Sequence, residues 1–489
     1  MLNLIAKAGA GFALAPCALP AGATMSTRSV VNDVHSKLNP TLVHDIVPVD
    51  SAAAVQSAIL RARAEKLPVS IAGGRHAMGG QQFGTGTLNI DTRSMNRVLQ
   101  LDPDRGVVEV EAGIQWPELI SRLGEMQAGN EKHWSIIQKQ TGADRLCLGG
   151  ALGANIHGRG LELKPIIGDV ESLVLVDASG EARVCSRSEN PELFRLAVGG
   201  YGLFGVITSL RLRLMPRTKI QRVVELVEID ALMQRFEERI AAGYLYGDCQ
   251  FSIDPKSPDY LRKGVFSCYQ PVDDSVPVPS SQKVLSADDW RRLYLLSHND
   301  PARIFDVYSS YYLGTSGQIY WSDSHQLSTY IDDYHQLVDR QTGAVFPGTE
   351  MITEVYVPRS ALGALMSKLA ADFRRHEVQV IYGTIRLIEK DADSFLAWAR
   401  RNYACVVMNL HVEHTPQGIS KSAEDFRRII DRAIELDGSY FLTYHRWASR
   451  RQAEICYPQM ARFLDLKRRY DPDEIFQSDW YRHYRRLFS

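Results

Sequence analysis

Hydrophobic and polar positions repeat in two rhythms along this chain. Residues 51–65 (SAAAVQSAILRARAE) carry apolar side chains at helical spacing behind Ser51, a favourable N-cap, and predict a helix. The apolar run 69–72 reads as a strand, as do 88–91 and 107–111. A helix is expected over 115–126, with Pro117 in its first turn. Two apolar or alternating runs, 171–178 and 181–185, surround Asp177-Ala178-Ser179-Gly180 and predict a hairpin. Residues 190–197 read as a helix, and 206–214 as a strand that stops at Pro216.

Beyond about residue 216 the texture changes. Glycine clusters disappear and a proline-rich connector spans 271–279. Strands are expected at 354–357, 378–388 and 404–413, and helices at 360–374 and 422–436. Residues 457–476 read as one helix ended by Asp471-Pro472. Period-two reading puts Asn409, His411 and Glu413 on one strand face and Val406, Met408, Leu410 and Val412 on the other. Tyr382, Thr384 and Arg386 likewise share a face, opposed by Ile381, Ile385 and Leu387. Short strands, helices and hairpins mixed in this way predict an α+β protein, without regular βαβ alternation.

Composition narrows the function classes. The 489 residues suffice for two domains, with 45% hydrophobic and 23% charged residues. A formal net charge of −1 gives no reason to expect nucleic acid or an anionic membrane as partner. Seven scattered cysteines, with no C-x-x-C pair, argue against a zinc site or disulfide framework and fit a cytoplasmic setting. The first 23 residues leave a signal peptide, and so a periplasmic or secreted location, as the alternative; Met25 opens a second plausible start. No other stretch is apolar for the ~20 residues a membrane span needs.

The chemistry lies in three glycine-rich loops: VSIAGGRHAMGGQQ at 69–82, LGGALGANIHGRG at 148–160 and VGGYGLFG at 198–205. Glycine lets main-chain N–H groups approach anionic oxygens, so three such loops beside apolar runs predict a cradle for a large phosphate-bearing cofactor. Gly200-x-Gly202-x-x-Gly205 matches the dinucleotide fingerprint, but a helix precedes it and a strand follows. The fingerprint needs the reverse order, so no Rossmann site is expected there.

Together the loops resemble the FAD-binding domain of the vanillyl-alcohol oxidase/p-cresol methylhydroxylase (PCMH) family, over roughly 40–216 and more loosely 440–476. The resemblance implies a two-subdomain FAD domain over 37–217, after a leader at 1–36. It also implies a substrate domain over 218–439, with a mainly antiparallel sheet covered by helices, and a C-terminal segment, 440–489, returning to the FAD domain. It further implies FAD, with His76 as the covalent attachment point, although Arg75 and Ala77 replace the commonest G-H-S form. Alditol oxidases of the family share the Arg-His pair, whereas decaprenylphosphoryl-ribose oxidase binds FAD without a covalent link.

The cofactor residues implied are Ala72, Gly73, Gly74, Arg75, His76, Ala77, Gly80 and Gln81 in the first loop. Thr141, Gly149, Gly150, Gly153, Ala154, Asn155, His157 and Gly158 follow, then Gly202, Gly205, Val206 and Ile207. Cys147 is expected to be buried, not a second attachment point.

Sugar-lactone and alditol oxidases pair E-x-R on a strand with a C-terminal H-W-x-K. This chain offers Thr384-Ile385-Arg386 and His445-Arg446-Trp447-Ala448-Ser449-Arg450, so the family's glutamate and lysine are missing. Arg386 or Arg450 is the candidate cation beside the flavin, His445 or His411 the candidate base, and Asn409 a further pocket residue. His411 and His414 face opposite ways on a strand, so no metal site is expected of that pair. The expected reaction is oxidation of a CH–OH group of a small polar or sugar-like substrate, with oxygen or another electron acceptor. The alternatives are a lipid-linked sugar oxidase, a double-bond reductase, or a flavin-binding protein without turnover. Oligomeric state is left open.

Overall fold

The computed structural model describes residues 28–328, 330–332 and 334–489. The leader reading for 1–23, the second start at Met25 and Cys17 lie outside them. Among the described residues no helix is long and apolar enough to cross a membrane.

The chain is α+β. Strands Asp45–Pro48, Leu88–Asp91 and Val69–Ala72 form a small parallel sheet with Leu88–Asp91 at its centre. Helix Ala52–Glu65 packs on it through Val55, Ala58, Ile59 and Ala62, and the Ser51 hydroxyl caps its first turn. A second, antiparallel sheet is built around Val206–Pro216, which pairs with Val107–Glu111 on one side and Val170–Val176 on the other. Val170–Val176 and Ala182–Ser186 form the expected hairpin. Helix Pro191–Ala197 precedes the 198–205 glycines and a strand follows, the order that excludes a dinucleotide fingerprint.

Three residues after Pro216 the chain enters an eight-stranded antiparallel sheet. Its order is Ile319–Trp321, Lys219–Glu228, Lys263–Pro271, Tyr246–Phe251, Val380–Ile388, Tyr403–Glu413, Gly348–Pro358, Ser439–Tyr440. Amphipathic helices Ile229–Ala241, Leu362–Arg375 and Pro416–Ile434 bury their apolar stripes against it. Helices Ala287–Asn299, Pro301–Leu313 and Tyr334–Thr342 also pack on it.

The register places the chemistry on one face. Glu350 lies opposite His411, Ile352 opposite Asn409 and Glu354 opposite Val407, while Tyr382 pairs with Asn409 and Arg386 with Cys405. Directly paired residues point to the same side. Glu350, Glu354, Tyr382, Thr384, Arg386, Asn409 and His411 therefore share a face.

Two sequence expectations are corrected. The strand expected over 354–357 is only the end of Gly348–Pro358; the buried Thr349, Glu350 and Thr353 broke its apolar pattern. Residues 457–476 do not form one helix. Helix Arg450–Cys456 ends first, Met460–Tyr470 follows, and the chain then extends so that Phe476 bridges in parallel to Val69. That turn is held by Asp471, whose carboxylate accepts from Ile475 N, Phe476 N and the buried Lys467 Nζ at 2.6 Å.

Candidate functional site

A cavity of about 210 Å³ lies between the three glycine loops and the polar face of the large sheet and is lined by residues of both. Its wall is cut for close approach. A Cβ on Gly150 or Gly153 meets nothing within 4 Å, so the helix Leu148–Ala154 presents bare backbone to the open space. Gly74 serves packing: a Cβ there would fall 2.4 Å from the Arg145 carbonyl. Gln81 Oε1, Gln82 Oε1, Gln140 Nε2 and Thr141 Oγ1 line the same cavity, buried and without a hydrogen-bond partner among the described residues. Buried polar atoms are rarely left unpaired, so the cavity wall is complementary to a polar ligand.

His76 stands on this wall with both ring nitrogens engaged. Nε2 lies 3.0 Å from the Arg145 carbonyl, which only accepts, so Nε2 carries the proton. Nδ1 then offers its lone pair to His35 Nε2–H at 2.8 Å. Burial, reinforced by His35, pushes His76 down to about 3, and burial pushes His35 to about 4. The pair is thus neutral near pH 7. Cys147 also touches the cavity, but burial raises its thiol to about 11, which leaves it protonated and a poor nucleophile.

At the inner end the sheet presents Glu354. Its Oε1 accepts from His157 Nε2 at 2.6 Å, from the Tyr356 hydroxyl and from the Cys405 thiol at 3.3 Å. Among the described residues its Oε2 has only the Tyr444 hydroxyl, at 3.3 Å. His157 is oriented from behind, since Nδ1 donates to the Gly158 carbonyl at 2.9 Å. Burial by itself would raise the Glu354 carboxyl, but the attraction of His157, hydrogen bonds from His157 and Tyr356, and the Arg386 charge hold it below the usual range. Arg386 lines the cavity with its Nε buried and without a partner among the described residues, as is the neighbouring Thr384 Oγ1.

Most implied cofactor residues meet here. Gly73, Gly74, Arg75, His76, Ala77, Gln81, Thr141, Gly149, Gly150, Gly153, Ala154, His157, Gly202, Gly205 and Ile207 line the cavity. Ala72, Gly80, Asn155, Gly158 and Val206 do not. Asn155 instead ties the loop to the second half of the chain, donating to Asp391 at 2.9 Å and accepting from Ile167 N and, through its carbonyl, from Trp398.

Among the catalytic candidates only Arg386 is in the wall. His445 is buried in an aromatic nest of Phe426, Tyr440 and Trp447. Arg450 is on the surface, paired with Glu454. Asn409 and His411 share the polar face but lie outside the cavity lining, His411 beside Glu350. Sequence reading missed Glu354, Tyr444, Gln82, Gln140 and His35. Only Gln82 carried a signal, lying at the end of the first glycine loop.

Comparison with known proteins agrees with this geometry. Residues 45–186 match the family model described as FAD binding domain. The chain thus carries an FAD-binding domain of the PCMH type: it is a flavoprotein, and its cofactor is FAD. It is 32% identical over 183 residues to the oxidoreductase ORF5 of the fasciation locus of Rhodococcoides fascians, covering 37% of this chain and 39% of that protein. Mouse L-gulonolactone oxidase is 29% identical over 167 residues, 34% of this chain and 36% of its own. Rice cytokinin dehydrogenase 6 is 28% identical over 221 residues, 40% of each chain. The matches thus span about two fifths of these relatives.

Proposed function

We propose that this flavoprotein oxidises a CH–OH group of a small polar or sugar-like substrate, passing the electrons to oxygen or another acceptor. The observation that carries the proposal is the buried carboxylate of Glu354, with one crowded and one open oxygen, beside Arg386 at the inner end of the FAD cavity. Bound FAD supplies the acceptor for the hydride, which carries both electrons of the oxidation. The protein must then take the hydroxyl proton and hold the alcohol carbon in place. Glu354 Oε1 already receives three donors, so Oε2 is the oxygen left to accept that proton. Tyr444 and Arg386 supply donors to orient the substrate oxygen. His157 acts one step behind, fixing Glu354 in its charged form.

The relatives named for a sugar lactone and for cytokinin match 34% and 40% of this chain, and the polar strands of the large sheet lie outside the FAD-binding stretch 45–186, so substrate choice is assigned to the second half of the chain. There the polar face supports an oxygen-rich substrate over a long apolar one. His76 is the residue proposed to bond FAD covalently: its imidazole is neutral, and the bond would use the Nδ1 lone pair in place of its hydrogen bond from His35. Anaerobic mixing of the flavoprotein with alditols, sugar lactones, cytokinins and lipid-linked sugars tests the reading. Bleaching of the flavin by polyols or lactones alone is expected. Bleaching by an amine alone would overturn the CH–OH assignment, bleaching by a lipid-linked sugar alone would overturn the small substrate, and no bleaching by any would favour binding without turnover.

A further inference from the structure

A second cluster lies on the same sheet face, four residues up the strand from Glu354. His298, near the end of helix Ala287–Asn299, and His411, on strand Tyr403–Glu413, both turn a ring nitrogen toward Glu350 on strand Gly348–Pro358. His298 Nε2 is 2.8 Å and His411 Nδ1 3.4 Å from the same oxygen, Glu350 Oε1. The three donor atoms all fall within 4.8 Å of one another. We propose that His298, Glu350 and His411 bind a divalent transition-metal ion of the zinc class, distinct from the flavin chemistry at Glu354.

Two imidazoles and one carboxylate form a borderline-soft donor set suited to zinc, with a fourth position left for water or a ligand oxygen. Metal–ligand bonds of about 2.0–2.2 Å in a tetrahedron put donor atoms roughly 3.4 Å apart. The distances to Glu350 Oε1, 2.8 and 3.4 Å, lie close to that value, and with all three atoms within 4.8 Å the two imidazoles need close by at most about 1.4 Å to complete the shell. The rings are held from behind. Gln379 lies 3.5 Å from His298 Nδ1, and with its amide turned to present oxygen it would accept Nδ1–H and leave Nε2 free for the metal. Gly348 has no side chain where a Cβ would come 2.3 Å from the His411 ring. The Tyr334 hydroxyl donates to the other Glu350 oxygen, and Tyr294 stacks on Tyr334 at 4.3 Å. His298 and Glu350 are almost wholly buried, whereas the His411 side chain stays 23% exposed and provides a path in. The partner of His411 is thus Glu350 and not the neighbouring His414, which bonds to Thr349.

The test uses the full-length flavoprotein, stripped with a chelator and titrated with Co²⁺, whose ligand-field bands report four-coordination by nitrogen and oxygen. One equivalent of bound Co²⁺, displaced by Zn²⁺, is expected with the flavin spectrum unchanged. H411A and E350Q should each weaken binding at least about tenfold, by analogy with the loss seen when even a supporting group is removed. Flavin content and the thermal unfolding midpoint confirm that the variants are folded. Absence of a stoichiometric Co²⁺ or Zn²⁺ complex in the wild-type protein overturns the proposal, whatever the variants do. So does equal binding by wild type and a folded H411A. Neither result bears on the Glu354 reading, because no turnover is measured.

Discussion

Replacing Glu354 by glutamine tests the reaction chemistry most directly, because it removes a charge and little else. The carboxylate accepts from His157 at 2.6 Å and lies beside the Arg386 charge in a buried site. Exchanging a charge-assisted hydrogen bond for a neutral one loses about 1–1.5 kcal/mol. Leaving Arg386 without its counter-charge adds about 0.5–1 kcal/mol on the scale of modest ion pairs. The sum is about 2 kcal/mol. If that stabilisation is expressed where the hydroxyl proton departs, flavin reduction slows about 30-fold. Single-turnover anaerobic stopped-flow, with the substrate that bleaches wild type fastest, measures this step alone. Reoxidation by oxygen serves as the internal control and should be unchanged. A folded, FAD-loaded Glu354→Gln variant reduced within about twofold of the wild-type rate would refute the assignment of Glu354 as proton acceptor.

Acid precipitation of wild type should leave the yellow colour in the pellet, and His76→Ala should release it to the supernatant; colour in both supernatants argues against the covalent bond. Arg450→Ala should leave flavin reduction within about twofold, since its pair with Glu454 is exposed and such changes are worth under about 0.5 kcal/mol; a tenfold loss of rate would return Arg450 to the site. His445 and His35 are held neutral by burial, at about 3 and about 4, against ~6.5 in the unfolded chain. Their contribution is complete above pH ~6.5 and is lost as pH falls toward 3, because the unfolded chain binds protons that the fold refuses. The urea midpoint should therefore drop from pH 7 to pH 4.5, less steeply in His445→Phe; a flat profile contradicts the burial argument.

The cofactor half was legible because its demand falls on the backbone. A wall that must let main chain reach a ligand selects glycine, and glycine shows in the sequence wherever it clusters. The reacting half was hidden because its neighbours are made by strand pairing. The missing carboxylate was sought at position 384, two residues before Arg386, where threonine stands. On the proposed reading it comes instead from Glu354, which lies across the intervening strand through Val407, and no local spacing encodes that relation. His445 misled for the opposite reason. Its motif suggests chemistry, but the flanking aromatics turn the ring into the core. Asn155 shows a third case: a polar residue in a cofactor loop that spends its hydrogen bonds on holding two parts of the chain together.

The first glycine loop is completed by residues that the ribosome makes much later. Gly79 N and Gln81 Nε2 both donate to the carbonyl of Thr443, the latter bond spanning 362 residues, and Val69 is paired by the backbone around Phe476. At roughly 5–20 residues per second, the nascent chain carries an unfinished loop for some ~20–70 s. FAD loading is therefore expected to follow synthesis: a ribosome-stalled chain ending before Thr443 should emerge colourless even in excess FAD.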